Sequence, residues 1–244
     1  MDNVAAAKLI IGHLDLTALS TTETSYSIAE LCHQAQTPYG NVAAVCIPPA
    51  YIPTAKHELT DTGIKIATVV NFPDGETNFK KLTSEIERAL VAGADEIDAV
   101  FPYHDFLSGN ISSCNEFLEL TRNQCQQKIL KIILETGEYP SSTKIREATI
   151  MALTAGVDFI KTSTGKTKIS ATYEAANIIL ETICKEKSNA GFKASGGIKT
   201  TMEAKQYILL AESILGENWL DISTFRIGAS SLLNNLLNTI KQGY

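Results

Sequence analysis

The sequence has 244 residues, of which 44% are hydrophobic and 20% are charged. This length is typical of one α/β barrel, so we predict a single domain over residues 1–244. Its formal net charge of −6 at pH 7 argues against nucleic acid or an anionic membrane as a partner. It has no basic segment leading into an apolar core at the N-terminus and no apolar run that could cross a bilayer, so we expect a soluble, cytoplasmic protein.

Short β-branched segments alternate with longer amphipathic segments about eight times along the chain. The predicted strands are residues 11–16, 42–47, 65–71, 96–101, 129–135, 159–162, 191–194 and 225–228. The clearest predicted helices are residues 78–92, 116–126, 144–155, 173–185 and 202–213. Eight units of strand followed by helix predict a (β/α)8 TIM barrel, with a doubly wound open sheet as the alternative.

Two helix starts and two helix ends carry local signals. Ser113 with Glu116, and Thr200 with Glu203, have the spacing of a capping box, in which side chains satisfy the free N–H groups of the first turn. Gly93 and Gly156 follow predicted helices, where a left-handed residue ends the last turn.

Polar residues stand at the carboxyl ends of the predicted strands, which converge on one mouth in a barrel. They are Asp15, Cys46, Asn71, Asp98, Glu135, Lys161 and Lys193, and Gly196, Gly197, Gly228 and Ser230 follow the last two strands. Together these residues predict a functional site at the mouth of the barrel.

Lys161 and Lys193 are the most informative of these residues. Each ends an apolar run, where a lysine loses hydration unless a partner, a ligand or a reaction compensates. A lone lysine in such a position most often extends to solvent. Two amines about 5 Å apart on adjacent strands would repel by about 3 kcal/mol at an effective dielectric constant near 20, which favours a neutral amine able to form a Schiff base.

Repulsion acts equally on both lysines and does not decide which one attacks. Asp98 can supply the asymmetry by pairing with one ammonium group, although a purely structural ion pair is an equal alternative. Asp15 is a lesser candidate for the same role, and a helix N-cap is the simpler interpretation.

The loops after the strands favour a phosphate. Gly196, Gly197, Gly228 and Ser230 lie where barrels often hold a phosphate on a helix N-terminus. The segment STGKT is not a P-loop, because that motif requires glycine at the position of Ile160. Lys166 either meets the phosphate or is a solvated loop lysine.

Cysteine and histidine residues give no metal signal. The five cysteines and four histidines are scattered, without a CxxC pair or an HExxH motif. We therefore expect reduced thiols and no metal ion.

At these residues the chain resembles the deoxyribose-phosphate aldolase family of class I Schiff-base aldolases, which are TIM barrels. The matching segments are HLDLTAL, VAAVCIPP, IATVVNFPDG, GADEIDAVFPY, ILETG, VDFIKTSTGK, GFKASGGIKT and RIGASS. The resemblance implies reversible cleavage of 2-deoxy-D-ribose 5-phosphate to glyceraldehyde 3-phosphate and acetaldehyde, in deoxyribose phosphate breakdown, without a cofactor or metal ion.

The resemblance also assigns roles to individual residues. Lys161 falls on the Schiff-base lysine, Lys193 on the lysine that perturbs it, and Asp98 on the acid/base carboxylate. Phosphate contacts are implied at Gly165, Lys166, Gly196, Gly197, Gly228, Ser230 and Ser231. We expect further substrate contacts from Asp15, Cys46 and Thr162, although a small buried core residue is the simpler interpretation of Cys46.

Three further expectations follow from the resemblance. Lys199 stands where many relatives carry arginine, and a lysine loses the bidentate geometry of that phosphate contact. Some relatives have a C-terminal tyrosine that reaches the site, but a disordered terminus is the simpler interpretation of Tyr244. A homodimer is expected.

Two functions are alternatives to a deoxyribose-phosphate aldolase. One is another Schiff-base aldolase of phosphosugars, such as a transaldolase-like or fructose-bisphosphate type, and the other is a barrel that binds a phosphosugar without turnover.

Overall fold

A computed structural model describes residues 1–243. Eight parallel strands form a closed barrel in which each strand pairs with the next and the last pairs with the first. The strands are β1 (Leu14–Thr17), β2 (Ala44–Ile47), β3 (Lys65–Val70), β4 (Glu96–Val100), β5 (Ile129–Ile133), β6 (Phe159–Lys161), β7 (Gly191–Ser195) and β8 (Phe225–Ala229). The TIM barrel prediction is confirmed, and closure excludes the open doubly wound sheet.

Helices cover the outside of the barrel. Within residues 1–243 they are α1 (Asn3–Gly12), α2 (Ser25–Gln34), α3 (Ile52–Glu58), α4 (Phe79–Ala92), α5 (Tyr103–Ser108), α6 (Ile111–Cys125), α7 (Ser142–Thr154), α8 (Tyr173–Lys185), α9 (Thr201–Leu215) and α10 (Leu232–Gln242). Short 3₁₀ turns occupy Pro49–Tyr51, Thr136–Glu138 and Glu217–Trp219, and Gln36–Thr37 pairs with Gly40–Asn41 as a small antiparallel ribbon. No helix in this part of the chain has the length and apolar character needed to span a membrane.

Helix ends confirm some predicted signals and contradict others. Thr200 and Glu203 form a capping box at the start of α9, and Gly93 ends α4 with a φ of 104°. The capping box predicted at Ser113 is wrong, because α6 begins at Ile111 and its N-cap is Asn110. The Asn110 side chain accepts a hydrogen bond from the backbone N–H of Ser113, which lies in the first turn of the helix.

The predicted first strand is wrong at its start. Ile11 lies in α1, where Ile10 and Ile11 are buried against the body of the protein, and β1 begins only at Leu14. A short apolar run is compatible with a buried helix end as well as with a strand. The apolar run around Ile11 extends from the end of α1 into β1.

Four strands, β3 to β6, end one or two residues earlier than predicted, and a left-handed residue accounts for two of these ends. Asn71 and Glu135 follow β3 and β5 in left-handed backbone conformations, with φ of 54° and 60°. A left-handed residue turns the chain out of the strand direction, so the predicted strand ends at these residues are wrong by one or two positions.

The inside of the barrel has room for long polar side chains because its apolar side chains are small on one side. Ala44, Cys46, Ala67 and Val69 form a separate small cluster on β2 and β3. Strand register then brings the larger side chains together, since Lys161 lies opposite Lys193, and Lys193 opposite Arg226. Partners in register point to the same side of a sheet, so these three cations enter the barrel together.

Gly191 makes this packing possible near the start of β7. It lies opposite Phe159, and an added Cβ atom would stand 2.5 Å from the Phe159 ring and 2.6 Å from the carbonyl oxygen of Thr224. The backbone oxygen cannot move without disturbing the pairing of β7 with β8.

We predict that Gly191→Ala lowers the free energy of unfolding by about 1–3 kcal/mol, because an overpacked strand must shift. Gly12→Ala is the matched control, since an added Cβ at Gly12 has no atom within 4 Å. Urea denaturation of both variants measures the difference. Equal stabilities would contradict the packing role of Gly191.

Candidate active site

Seven ionisable side chains form one connected group inside the barrel, which we call the interior ion network. Its members are Asp15 of β1, Glu96 and Asp98 of β4, Lys131 of β5, Lys161 of β6, Lys193 of β7 and Arg226 of β8. All are buried, and Lys161 is the most exposed at 3%. Burial of this many charges is tolerated only because each one has partners of the opposite sign.

Asp98 lies at the centre of the network. Its Oδ2 atom accepts hydrogen bonds from Lys161 Nζ and Lys193 Nζ, each at 2.8 Å. Its Oδ1 atom accepts one from Lys131 Nζ at 2.9 Å. Burial opposes ionisation, but Lys131, Lys161 and Lys193 outweigh it and hold the pKa of Asp98 well below its ordinary value. Asp98 is therefore a carboxylate at neutral pH.

Lys193 is paired more extensively than its neighbour Lys161. It donates to Asp15 as well as to Asp98, and burial, which lowers its pKa, is outweighed by these two carboxylates, so that the pKa is raised. Repulsion from Lys161 was expected to favour a neutral amine at Lys193. The structure contradicts that expectation, because two carboxylates that the repulsion argument left out raise the pKa of Lys193.

Three members of the network were missed by sequence reasoning. Lys131 donates to Glu96, and Arg226 bridges Asp15 Oδ1 at 2.6 Å and Glu96 Oε1 at 3.1 Å. Glu96 begins β4, and Lys131 and Arg226 lie inside β5 and β8, whereas the search for polar side chains was made at the carboxyl ends of the strands. The available signal was a charged residue inside an apolar run, as in ILKII.

The predicted contact residues Asp15, Cys46 and Thr162 are all fully buried. Asp15 belongs to β1 and bridges Lys193 and Arg226, so its predicted alternative as a helix N-cap is wrong. Cys46 Sγ lies 4.0 Å from Asp98 Oδ2, and burial, with the Asp98 charge, raises its pKa, which keeps the thiol protonated. The Thr162 hydroxyl accepts from the Ser195 N–H at 3.0 Å and donates to its carbonyl at 3.2 Å, fastening β6 to β7.

Asn71 and Glu135, predicted at the mouth, connect loops. Asn71 Nδ2 donates to the carbonyls of Glu76 and Val100, each at 2.9 Å. Glu135 accepts from the backbone N–H and the hydroxyl of Thr164. Burial raises the pKa of Glu135, and the hydrogen bonds from Thr164 oppose that shift.

A cavity of about 760 Å³, which we call the mouth cavity, opens above the network at the carboxyl ends of the strands. Within residues 1–243, Lys161 is the network member that lines it. The loop residues predicted to contact phosphate also line it: Gly165, Lys166, Gly196, Gly197, Gly228, Ser230 and Ser231. One open space thus joins a buried amine to the glycine-rich loops.

The loops place backbone close to this cavity. Gly165, Gly196 and Gly197 have φ of 77°, 88° and 81°, a region that other residues rarely adopt. Gly228 is required for another reason, because an added Cβ would stand 2.1 Å from the Ser195 hydroxyl. Ser231 precedes α10 without a side-chain capping bond, which leaves that helix N-terminus open to an anion.

Two lysines stand beside these loops. Lys166 Nζ donates to the carbonyl oxygen of Leu19 at 2.8 Å, which links the loop after β6 to the loop after β1. Lys199 lines the mouth cavity and is exposed. Tyr244 lies outside the described residues. Within residues 1–243 no group of three or more histidine, cysteine, aspartate or glutamate side chains is arranged to hold a metal ion.

Comparison with known proteins identifies the family. The model of the DeoC/LacD family of aldolases matches residues 9–238. The chain therefore belongs to the DeoC/LacD aldolase family, whose reactions act on small molecules.

Solved structures agree with this assignment. A proposed deoxyribose-phosphate aldolase from Coccidioides immitis is 28% identical over 96% of this chain and 86% of its own, with a TM-score of 0.84. The aldolase QR15 is 26% identical over 96% of this chain and 97% of its own, with a TM-score of 0.83. A deoxyribose phosphate aldolase from Aeropyrum pernix, tetrameric in its crystal structure, shares the fold at 21% identity over 100% and 98%, with a TM-score of 0.77.

We predict that Asp15→Asn lowers the free energy of unfolding by about 3–5 kcal/mol at pH 7, because it leaves Lys193 and Arg226 with one carboxylate fewer. Although burial opposes ionisation, Lys193, Arg226 and Lys131 hold the pKa of Asp15 below its ordinary value. Its contribution is therefore fully present above about pH 5 and is lost as the pH falls below about 4.

Urea titrations between pH 2 and pH 8 measure this dependence, with the exposed Asp61→Asn as the control. The gap between wild type and Asp15→Asn should narrow in acid. A gap that stays constant down to pH 2 would contradict the ion-pair role of Asp15.

Proposed function

We propose that this aldolase reversibly cleaves 2-deoxy-D-ribose 5-phosphate to glyceraldehyde 3-phosphate and acetaldehyde through a Schiff base on Lys161. One observation carries the proposal: Lys161 belongs to the interior ion network and also lines the mouth cavity that the glycine loops surround. The resemblance of FIKTSTGK and GFKASGGI to deoxyribose-phosphate aldolases, and the similarity to structures assigned that activity, support the choice of substrate.

The chemistry begins at the Lys161 nitrogen. The neutral amine adds to the C1 aldehyde of the open-chain sugar, and loss of water gives an iminium ion. The C2–C3 bond then breaks as the C3 hydroxyl loses its proton, and the bonding pair moves toward the iminium nitrogen to form an enamine. Glyceraldehyde 3-phosphate leaves. Protonation of the enamine at C2 and addition of water release acetaldehyde and the free amine.

Asp98 and Lys193 serve the proton transfers in this proposal. Asp98 Oδ2 accepts hydrogen bonds from both amines, so this carboxylate can take up the proton of Lys161 and can pass on a proton that Lys193 donates. Lys193 is the proton donor in this scheme, because its carboxylate partners keep it an ammonium group while Lys161 reacts as the neutral amine. A water molecule in the mouth cavity completes the route to the substrate.

The sugar phosphate is proposed to bind at the glycine loops and the start of α10. Gly165, Gly196 and Gly197 allow N–H groups to approach the phosphate oxygens, and Ser230 and Ser231 are exposed at the same face. Lys166 and Lys199 add positive charge near the rim. Asp15, Cys46 and Thr162 shape the site from the barrel interior, since they do not line the cavity.

The second candidate is another phosphosugar aldolase of the Schiff-base type. The mouth cavity, of about 760 Å³, continues along α2 beside Tyr26 and Glu30, and this additional space favours a larger sugar substrate. A binding protein without turnover would need the glycine loops but not the combination of Lys161, Lys193 and Asp98.

We predict that acetaldehyde with borohydride attaches an ethyl group to the peptide that contains Lys161, and that Lys161→Leu abolishes both the adduct and turnover. Lys80→Leu, at an exposed position on α4, is the control and should change neither. Mass spectrometry of the digested protein locates the adduct, and circular dichroism checks the fold. Activity without a Lys161 adduct would contradict the mechanism.

The same trapping experiment distinguishes the two substrate classes. Dihydroxyacetone phosphate alone, in place of acetaldehyde, should give little adduct if acetaldehyde is the natural donor. The opposite preference would favour the second candidate and retain Lys161 as the nucleophile.

We predict that Gly196→Ala lowers kcat/KM for 2-deoxyribose 5-phosphate relative to unphosphorylated 2-deoxyribose by about tenfold, equivalent to loss of about one hydrogen bond. An added Cβ would stand 2.7 Å from the Ser170 side chain and displace the loop. Gly109→Ala is the matched control, because Gly109 has a similar φ of 89° and no atom near its added Cβ. An unchanged ratio for Gly196→Ala would remove this loop from the phosphate site.

A further inference from the structure

The interior ion network has unequal numbers of charges. Within residues 1–243 it contains four basic side chains, Lys131, Lys161, Lys193 and Arg226, and three acidic ones, Asp15, Glu96 and Asp98. If all seven were ionised, the interior would carry one uncompensated positive charge. Uncompensated charge is unfavourable among side chains that are buried in a barrel interior. Loss of one proton from one base balances the network.

Partner counts indicate which base gives up that proton. Lys131 lies within ion-pair distance of Glu96, Asp98 and Asp15. Lys193 pairs with two carboxylates, and Arg226 also pairs with two.

Lys161 pairs with Asp98 Oδ2 alone, and it shares that oxygen with Lys193. It is therefore the least compensated base of the network. It is also the base that lines the mouth cavity, from which a proton can leave.

We propose that Lys131 and Glu96 are positioning residues that set the protonation state of Lys161 through the charge balance of the barrel interior, although neither lines the mouth cavity. This inference rests on the proposed function of Lys161 as the Schiff-base nucleophile. Lys131 supplies the positive charge that makes a neutral Lys161 the balanced state. Glu96 limits that effect by compensating Lys131 and Arg226.

The other titratable groups around Lys161 do not change this balance. Burial keeps the Cys46 thiol protonated by raising its pKa, and burial lowers the pKa of His13, which lies below the network beside Phe225. Glu135 is held by Thr164, and the exposed Lys166 donates to Leu19. The strand β3 adds no charged side chain to the interior, since Lys65 at its start is exposed and its interior cluster members are Ala67 and Val69.

Two substitutions should move the reactivity of Lys161 in opposite directions along the pH axis. Lys131→Met leaves three bases and three acids, so a protonated Lys161 becomes the balanced state. The pH above which Lys161 reacts with an aldehyde should rise by about one to two pH units. Glu96→Gln leaves four bases and two acids, and the same midpoint should fall by about one to two pH units.

The readout is covalent labelling rather than turnover. Each protein is incubated with acetaldehyde and cyanoborohydride from pH 5 to pH 10, and mass spectrometry quantifies ethylation of the Lys161 peptide. The exposed Lys80 in the same sample is the internal reference, and its profile should not differ among variants. The double variant Lys131→Met/Glu96→Gln restores the excess of one base and should return the midpoint to that of wild type.

The outcomes separate this inference from the proposed function. Absence of a Lys161 adduct in wild type would overturn the proposed function, and this inference with it. A Lys161 adduct whose midpoint is the same in wild type and in a folded single variant would overturn the charge-balance inference alone. Purely structural roles for Lys131 and Glu96 would lower the amount of adduct in the two single variants without moving the midpoints in opposite directions, and that result would overturn the charge-balance inference.

Circular dichroism establishes which variants are folded. If Lys131→Met does not fold, Glu96→Gln provides the test. If Glu96→Gln does not fold, Lys131→Met provides it. If neither single variant folds, the double variant decides, because a displaced midpoint there contradicts the balance and a restored midpoint supports it. Glu96→Asp, which keeps the charge, should leave the midpoint in place.

Discussion

The structure depends on one buried carboxylate that three lysines share. Asp98 binds Lys131 through Oδ1, and Lys161 and Lys193 through Oδ2. A carboxylate or an ammonium group in a dry interior is unfavourable unless its partners remain in place, so none of the four side chains can be moved alone. This constraint fixes the relative positions of β4, β5, β6 and β7 at the level of the proposed nucleophile.

The two ends of the barrel, below and above Asp98, are built differently. Below Asp98, Arg226 connects the carboxylates of β1 and β4, and the Phe159 ring lies 5.7 Å from its guanidinium carbon. Gly191 leaves the space that this ring occupies. Above Asp98, the chain opens into left-handed glycine turns, and the interior becomes a cavity. The interior ion network thus occupies the lower part of the barrel, and the mouth cavity, with its glycine-rich loops, lies at the upper end as the proposed ligand site.

Sequence reasoning predicted the barrel and most strands, because apolar periodicity is a local feature, whereas the separate roles proposed for Lys161, Lys193 and Asp98 came from the family resemblance. It missed Lys131, Glu96 and Arg226 for a physical reason. Whether a mid-strand residue points into the barrel or toward the helices depends on strand register, which pairing between distant segments determines. Ile11 was placed in a strand because a short apolar run does not by itself distinguish a strand from a buried helix end.

The different duties proposed for the two lysines follow from the number of their partners. Repulsion between Lys161 and Lys193 is symmetric, and it would act in the same way if their positions were exchanged. Asp15 breaks this symmetry, because it binds Lys193 and Arg226 but does not pair with Lys161. The additional carboxylate keeps Lys193 an ammonium group that can donate a proton. The lysine without it, Lys161, lines the mouth cavity and is the proposed nucleophile.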